Sequence, residues 1–157
     1  MRPSDVRSAI EVAEICELSP WSHRDYLDEL VRTDSILLKA STEDLAFAGF
    51  IVARRVPGNG TDSDLEIYNI GVEPSVQRRS VGSLLMSETL RLCARDDIAN
   101  IWLEVRASND SAIAFYTRFG FVKAGRRQAF YRDPVEDGIT MKLSVSDYFS
   151  SHFRNIA

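Results

Sequence analysis

The sequence predicts an α/β (α+β) fold with a mixed sheet flanked by about four helices, and three observations predict it. Four stretches repeat apolar residues every three to four positions, the period of a helix with one buried face. Between and after them lie short apolar runs of strand length, bounded by Pro, Gly and acidic turns. The two kinds of segment interleave, with no internal repeat or low-complexity tract, which is the pattern of helices packed on a sheet. At 157 residues and 45% apolar content, the chain has the length of one domain and enough apolar side chains for a continuous core.

Ser4 is the predicted N-cap of a first helix over residues 4 to 17, whose buried face is Val6, Ala9, Ile10, Ala13 and Cys16; Pro20 ends that unit. Ser22 caps a shorter helix through Tyr26, Leu27, Leu30 and Val31, closing near Thr33. Residues 35–40 and 45–56 read as strands paired across an acidic turn near Glu43, and Pro57-Gly58-Asn59-Gly60-Thr61-Asp62 reads as a loop before a strand over 65–72. A basic turn of small residues follows Pro74, and Val81, Leu85, Met86, Thr89, Leu92 and Cys93 then share the face of a third helix. In a strand over 98–105, Trp102, Glu104 and Arg106 point one way and Ile101, Leu103 and Val105 the other. Ala112, Phe115, Tyr116 and Phe119 define the fourth helix, which Gly120 stops; residues 121–124 and 139–143 are the last strands. Residues 144–157 form a tail beyond a domain of residues 1–143, and Tyr148, Phe149 and Phe153 in it suit docking on the domain or on another subunit.

Composition narrows the function. No apolar run approaches the roughly 18 residues of a membrane span, and Met1-Arg2-Pro3-Ser4-Asp5 passes into charged helical sequence without the apolar stretch of a signal peptide, so a cytoplasmic protein is expected. A net charge of −4 disfavours nonspecific nucleic-acid binding as the main task. Cys16 and Cys93 form no CxxC and read as small buried apolar residues, and His23 and His152 are isolated surface residues, so no metal site is expected.

One segment carries chemistry. Gln77-Arg78-Arg79-Ser80-Val81-Gly82 lies between a strand and a helix, where backbone N–H groups at the helix start converge on phosphate. Small residues at 80 and 82 let the backbone approach a ligand, and Arg78 and Arg79 add positive charge. A pyrophosphate is the natural ligand, and an ordinary basic turn is the other reading.

Gln77, Ser80 and Gly82 fill the defined positions of Q/R-x-x-G-x-G/A, and the segment resembles the phosphate-binding loop of the GNAT acyltransferase superfamily. Residues 102–109 (WLEVRASN), 112–116 (AIAFY), Gly120-Phe121, Pro20-Trp21-Ser22, Asn69-Ile70-Gly71-Val72 and 131–137 (YRDPVED) resemble its RimI type, the ribosomal-protein alanine N-acetyltransferases, over about residues 5 to 143. The sequence departs from the pattern at Ser80, where the loop usually has Gly, and at Phe130, where the type usually shows a Tyr-Tyr pair. A positive φ at Ser80 costs on the order of 1 kcal/mol, which a hydroxyl–phosphate hydrogen bond can offset.

The resemblance implies a sheet splayed between the strands 65–72 and 98–105, and acetyl-CoA held by Ile70, Gly71, Val72, the loop residues Gln77, Arg78, Arg79, Ser80, Val81, Gly82 and Ser83, and Asn109. It implies Glu104 as the base, directly or through a water, Tyr116 as the acid for the leaving thiolate, and Tyr131 in the acceptor groove, with direct transfer in a ternary complex. An α-amine of pKa about 7.7 to 8.0 needs only a modest base. By residue type alone, Glu104 reads first as a solvated strand-end carboxylate or a partner for Arg106, while Tyr116 is as well a core aromatic and Asn109 a helix cap or turn residue. The resemblance implies the N-terminal amine of a protein as acceptor, with a ribosomal protein beginning in Ala as the usual one; a lysine or small-molecule amine, or a non-catalytic acyl-CoA-binding module, are the rival readings.

Overall fold

A computed structural model describes residues 1–59 and 62–153, Phe153 by its backbone only. Gly60 and Thr61 of the expected loop, the side chain of Phe153 and the last four tail residues lie outside the described residues. The elements are α1 (Val6–Ile15), α2 (His23–Leu30), β1 (Ser35–Ala40), β2 (Gly49–Pro57), β3 (Ser63–Val72), α3 (Val81–Arg95), β4 (Ile98–Arg106), α4 (Asp110–Arg118), β5 (Val122–Arg132), β6 (Val135–Ser144) and α5 (Val145–Phe153). The strands make a mixed six-stranded sheet in the order β1-β2-β3-β4-β6-β5. The chain forms two compact units, one of Met1–Arg55 with Ile67–Leu92, the other of Val56–Glu66 with the chain from Cys93 onward.

In the first unit, Val6, Ala9, Val12 and Ala13 of α1 meet Tyr26 of α2 and Phe50 and Val52 of β2 in a buried cluster. The expected cap at Ser4 is not made, because Pro3–Asp5 form a 3-10 turn and α1 starts only at Val6. Ser22 does cap α2: its hydroxyl accepts from Asp25 N at 3.1 Å, and Asp25 returns a carboxylate to Ser22 N at 2.7 Å. β1 pairs antiparallel with β2, Ser35 opposite Arg54 and Ala40 opposite Gly49. Glu29, 2% exposed, lies against Arg54 and Ser35. Burial by itself raises its pKa, but hydrogen bonds from Arg54 and Ser35 and the Arg54 charge outweigh that and hold the carboxyl below its ordinary range.

The expected strand from residue 45 begins only at Gly49, and a side chain there is excluded. A Cβ at Gly49 would sit 2.7 Å from the carbonyl oxygen of Gly71 and 3.3 Å from both Val72 Cα and Val81 Cγ1. The glycine therefore lets β2 lie close against the end of β3 and the start of α3.

In the second unit, β4 pairs antiparallel with β6, and β6 with β5. Ile101–Leu143, Leu103–Met141 and Val105–Ile139 are opposed pairs on the buried face, as the period-two reading of 98–105 requires. Asp64, 6% exposed, accepts from Asn100 N at 3.1 Å, Asn100 Nδ2 at 2.9 Å and Trp102 Nε1 at 2.7 Å, fixing the first residues of β3 to β4. Gly120 ends α4 at φ 93°, a left-handed turn. β5 runs to Arg132, well beyond the expected 121–124, because its pairing to β6 continues through Arg126, Arg127 and Tyr131 although its residues are mostly exposed. Val145–Phe153 of the tail form α5, a fifth helix where about four were expected. Among the described residues, no helix is long and apolar enough to cross a membrane.

The close approach at Gly49 predicts that Gly49→Ala is destabilising: the clash costs about 1–3 kcal/mol, against about 0.4–1 kcal/mol returned by the stiffer unfolded chain. The expected outcome is a lower urea midpoint at unchanged slope.

Candidate active site

The loop between β3 and α3 is built from backbone upward. Glu73 N donates to Ala48 O at 3.0 Å, the Glu73 carboxylate accepts from Ser75 N at 2.8 Å, and Pro74–Val76 form a 3-10 turn whose Val76 is buried. Gln77 turns back on the chain, its Nε2 donating to the Val72 carbonyl at 3.0 Å, and Cys16 Sγ reaches the same oxygen at 3.4 Å. Gln77 thus anchors the loop through its side chain, and the Val72 carbonyl has both lone pairs engaged. Cys16 is half-buried rather than buried as expected, and burial raises its thiol above the ordinary value.

Arg78 and Ser80 have φ of 58° and 66°, so the turn does demand the left-handed conformation that the departure from Gly makes costly. Ser80 O accepts from Leu84 N at 2.9 Å, which makes Ser80 the start of α3 and leaves the N–H groups of Val81, Gly82 and Ser83 without intrahelical partners. Val81 buries its side chain, so only its backbone is available, whereas Arg78, Arg79 and Ser80 are exposed. Free N–H groups at a helix start beside two exposed guanidinium groups fit a pyrophosphate.

Glu104 lies in the second unit, on the face of β4 opposite Leu103 and Val105. Register places three rows of side chains on this face: Trp102, Lys142 and Val122; Glu104, Thr140 and Gly125; Arg106, Gly138 and Arg127. The Thr140 hydroxyl donates to Glu104 Oε1 at 2.9 Å, and Arg127 Nη1 stands 3.5 Å from the same oxygen. Glu104 Oε2 is buried and, among the described residues, meets no hydrogen-bond partner. Arg106 turns away from Glu104 to Glu136 at 3.5 Å and to the Asp133 carbonyl at 2.9 Å, so Arg127 and not Arg106 stands beside Glu104.

Gly138 leaves room for an aromatic cluster, since a Cβ there would lie 3.0 Å from Phe130 Cδ1. Phe130 and Tyr131 pack edge to face with centroids 5.1 Å apart; Arg127 stacks on Phe130 and Arg106 on Tyr131, each at 4.3 Å. Burial pushes the Tyr131 phenol up to about 12, with Arg106 acting against it. Tyr116 is 7% exposed between Phe115 and Phe121, and burial, followed by the neighbouring Tyr131, drives its phenol well above the ordinary 10. Asn109 caps α4, its side-chain oxygen accepting from Ala112 N at 3.0 Å.

Thr140, Arg127 and Gly125 escape the sequence reading because only the register of β5 and β6 brings them to Glu104. A cavity of about 430 Å³ lined by Phe119, Lys142, Tyr148 and His152, among others, includes none of the expected site residues. Among the described residues, no group of three or more His, Cys, Asp or Glu is placed to hold a metal ion.

The sequence profile of the acetyltransferase (GNAT) family matches residues 6–121. The chain belongs to this family. It is 30% identical over 148 residues to the [ribosomal protein bS18]-alanine N-acetyltransferase of Escherichia coli K12, covering 93% of this chain and 95% of that protein. It is 38% identical over 130 residues to the N-alpha-acetyltransferase RimI of Mycobacterium tuberculosis H37Rv, covering 82% and 78%. The crystal structure of the ribosomal-protein-S18-alanine N-acetyltransferase from Escherichia coli superposes with a TM-score of 0.79 at 27% identity, over 92% of this chain and 90% of that one. This GNAT protein is accordingly an acetyl-CoA-dependent N-acetyltransferase.

The left-handed Ser80 yields a prediction for the GNAT loop. Ser80→Gly relieves about 1 kcal/mol of strain and gives back part of it as chain entropy, so its melting temperature stays at or slightly above that of the parent. Ser80→Val, β-branched at positive φ, destabilises by more than about 1 kcal/mol and weakens acetyl-CoA binding measured by calorimetry.

Proposed function

We propose that this enzyme acetylates the N-terminal α-amine of a protein, with a ribosomal protein beginning in Ala as its acceptor. The observation that carries the chemistry is Glu104: a carboxylate with one oxygen held by Thr140 and the other buried without a partner, as a proton acceptor requires. The acceptor class is supported by the near full-length similarity to the bS18-alanine and N-alpha acetyltransferases.

Acetyl-CoA supplies the acyl group as a thioester. Val81, Gly82 and Ser83 offer their backbone N–H groups, and Arg78 and Arg79 their charge, to its pyrophosphate. Gln77 and Val72 act by holding the loop, and the remaining backbone groups of Ile70 and Gly71 face the rest of the cosubstrate. Asn109 uses its side-chain oxygen on Ala112 and keeps its amide N–H groups for the ligand.

With an α-amine near pKa 7.7 to 8.0, a useful minority of acceptor is neutral at physiological pH, and Glu104 Oε2 takes the proton released as nitrogen acquires the acyl group. Tyr116 is the donor toward the departing sulfur. Its raised pKa keeps the phenol protonated throughout the working range, though it makes the proton harder to give up. Tyr131, held flat by Arg106, forms a fixed wall for the acceptor chain rather than a titrating group. Phe130, in place of the usual tyrosine, gives that wall one phenol fewer. The reaction takes place in the cytoplasm, where ribosomal proteins are made.

Two peptides test the acceptor: one with a free N-terminal Ala and no Lys, the other N-blocked with one free Lys. CoA release with the first and not the second is the expected result; the reverse would move the acceptor to lysine. Glu104→Gln should lower turnover by roughly 100-fold or more, with acetyl-CoA affinity nearly unchanged. No turnover by the parent on either peptide would favour small amines or a binding module.

A further inference from the structure

We infer that Thr140 is a positioning residue of the transfer reaction: its hydroxyl holds Glu104 Oε1 and so presents Oε2 as the atom that takes the amine proton. The inference rests on the reading of Glu104 as the base and adds to it which oxygen reacts and what orients it.

Thr140 sits on β6 directly opposite Glu104 on β4, and its hydroxyl lies 2.9 Å from Oε1. The terminal torsion of a glutamate is broad, so an ionised Glu side chain without a partner samples many carboxylate orientations. A threonine is stiff at χ1 and here is fixed in a laddered strand, so its hydroxyl defines one of them. Arg127 is the other group near Oε1, but it is 3.5 Å away with its side chain 59% exposed, which is weak geometry in a screened position.

Thr140 also suits both halves of the proton transfer. While Glu104 is ionised, the hydroxyl donates to it. When the amine N–H bond breaks and an O–H bond forms at Oε2, Oε1 is still an acceptor and the same hydrogen bond persists. An arginine there would lose its charge pairing at that moment. The third strand keeps the row clear: the bulge between Lys123 and Gly125 puts a glycine opposite Thr140, and a Cβ at Gly125 would lie 3.6 Å from the threonine hydroxyl. Nothing from β5 therefore competes for that hydroxyl across the row.

The test uses the full chain, acetyl-CoA and a peptide with a free N-terminal Ala, and compares Thr140→Val, Thr140→Ser and Glu104→Gln. Thr140→Val keeps the shape and removes the donor; kcat should fall about 10-fold, with KM for acetyl-CoA within about 2-fold. Thr140→Ser restores the donor and should recover most of kcat. A Thr140→Val enzyme as fast as the parent, beside an inactive Glu104→Gln, overturns the inference and leaves the base assignment standing. A Thr140→Ser enzyme as slow as Thr140→Val also overturns it, since the methyl and not the hydroxyl would then matter. Parental turnover by Glu104→Gln removes the base assignment, and the inference with it.

Discussion

The approach of β2 to the end of β3 is the constraint on which the ligand loop depends. Backbone meets backbone where Gly49 faces Gly71 and Val72, with Val81 of α3 at the same point. Only a residue without a side chain permits it. Three further contacts then hold the loop from different sides: Glu73 N on Ala48 O, Gln77 on the Val72 carbonyl and the buried Val76. With the base of the loop held this firmly, the left-handed residues Arg78 and Ser80 are kept in conformations they would not adopt alone. The strain there maintains the turn that opens α3 with its first N–H groups unpaired.

The second unit makes its site by register. Pairing β6 between β4 and β5 sets side chains from three strands in rows, and glycine empties one place in each of two rows. At Gly138 the gap is filled by Phe130, whose edge-to-face contact with Tyr131 is flanked by two stacked arginines. At Gly125 the gap leaves no β5 side chain opposite Thr140, whose hydroxyl donates to Glu104. Arg106 is engaged by Glu136 and the Asp133 carbonyl and so leaves Glu104 to Thr140 and Arg127.

Local patterning was a good guide wherever burial follows a period. β1, the alternating faces of β4, the Ser22 cap and the stop at Gly120 all appear as read, since each rests on contacts within a few residues or on one buried face. It misled where polarity conceals structure. β5 carries Arg126, Arg127 and Gln128 on an exposed strand, with no apolar alternation to betray it, and is extended because β6 supplies its hydrogen bonds. Ser4 looked like a cap, but Pro3 favours a tight 3-10 turn ahead of α1.

Residue types and spacing by themselves determined the class of fold and the loop that suits a pyrophosphate, because these are properties of contiguous segments, while the resemblance to the GNAT superfamily pointed to Glu104 and Tyr116 as the groups to examine. Tertiary structure alone decided how those groups are held. That Arg127 and not Arg106 approaches Glu104, and that Thr140 secures one of its oxygens, depend on strand register. Those distances join residues far apart in the chain, and no local period encodes them.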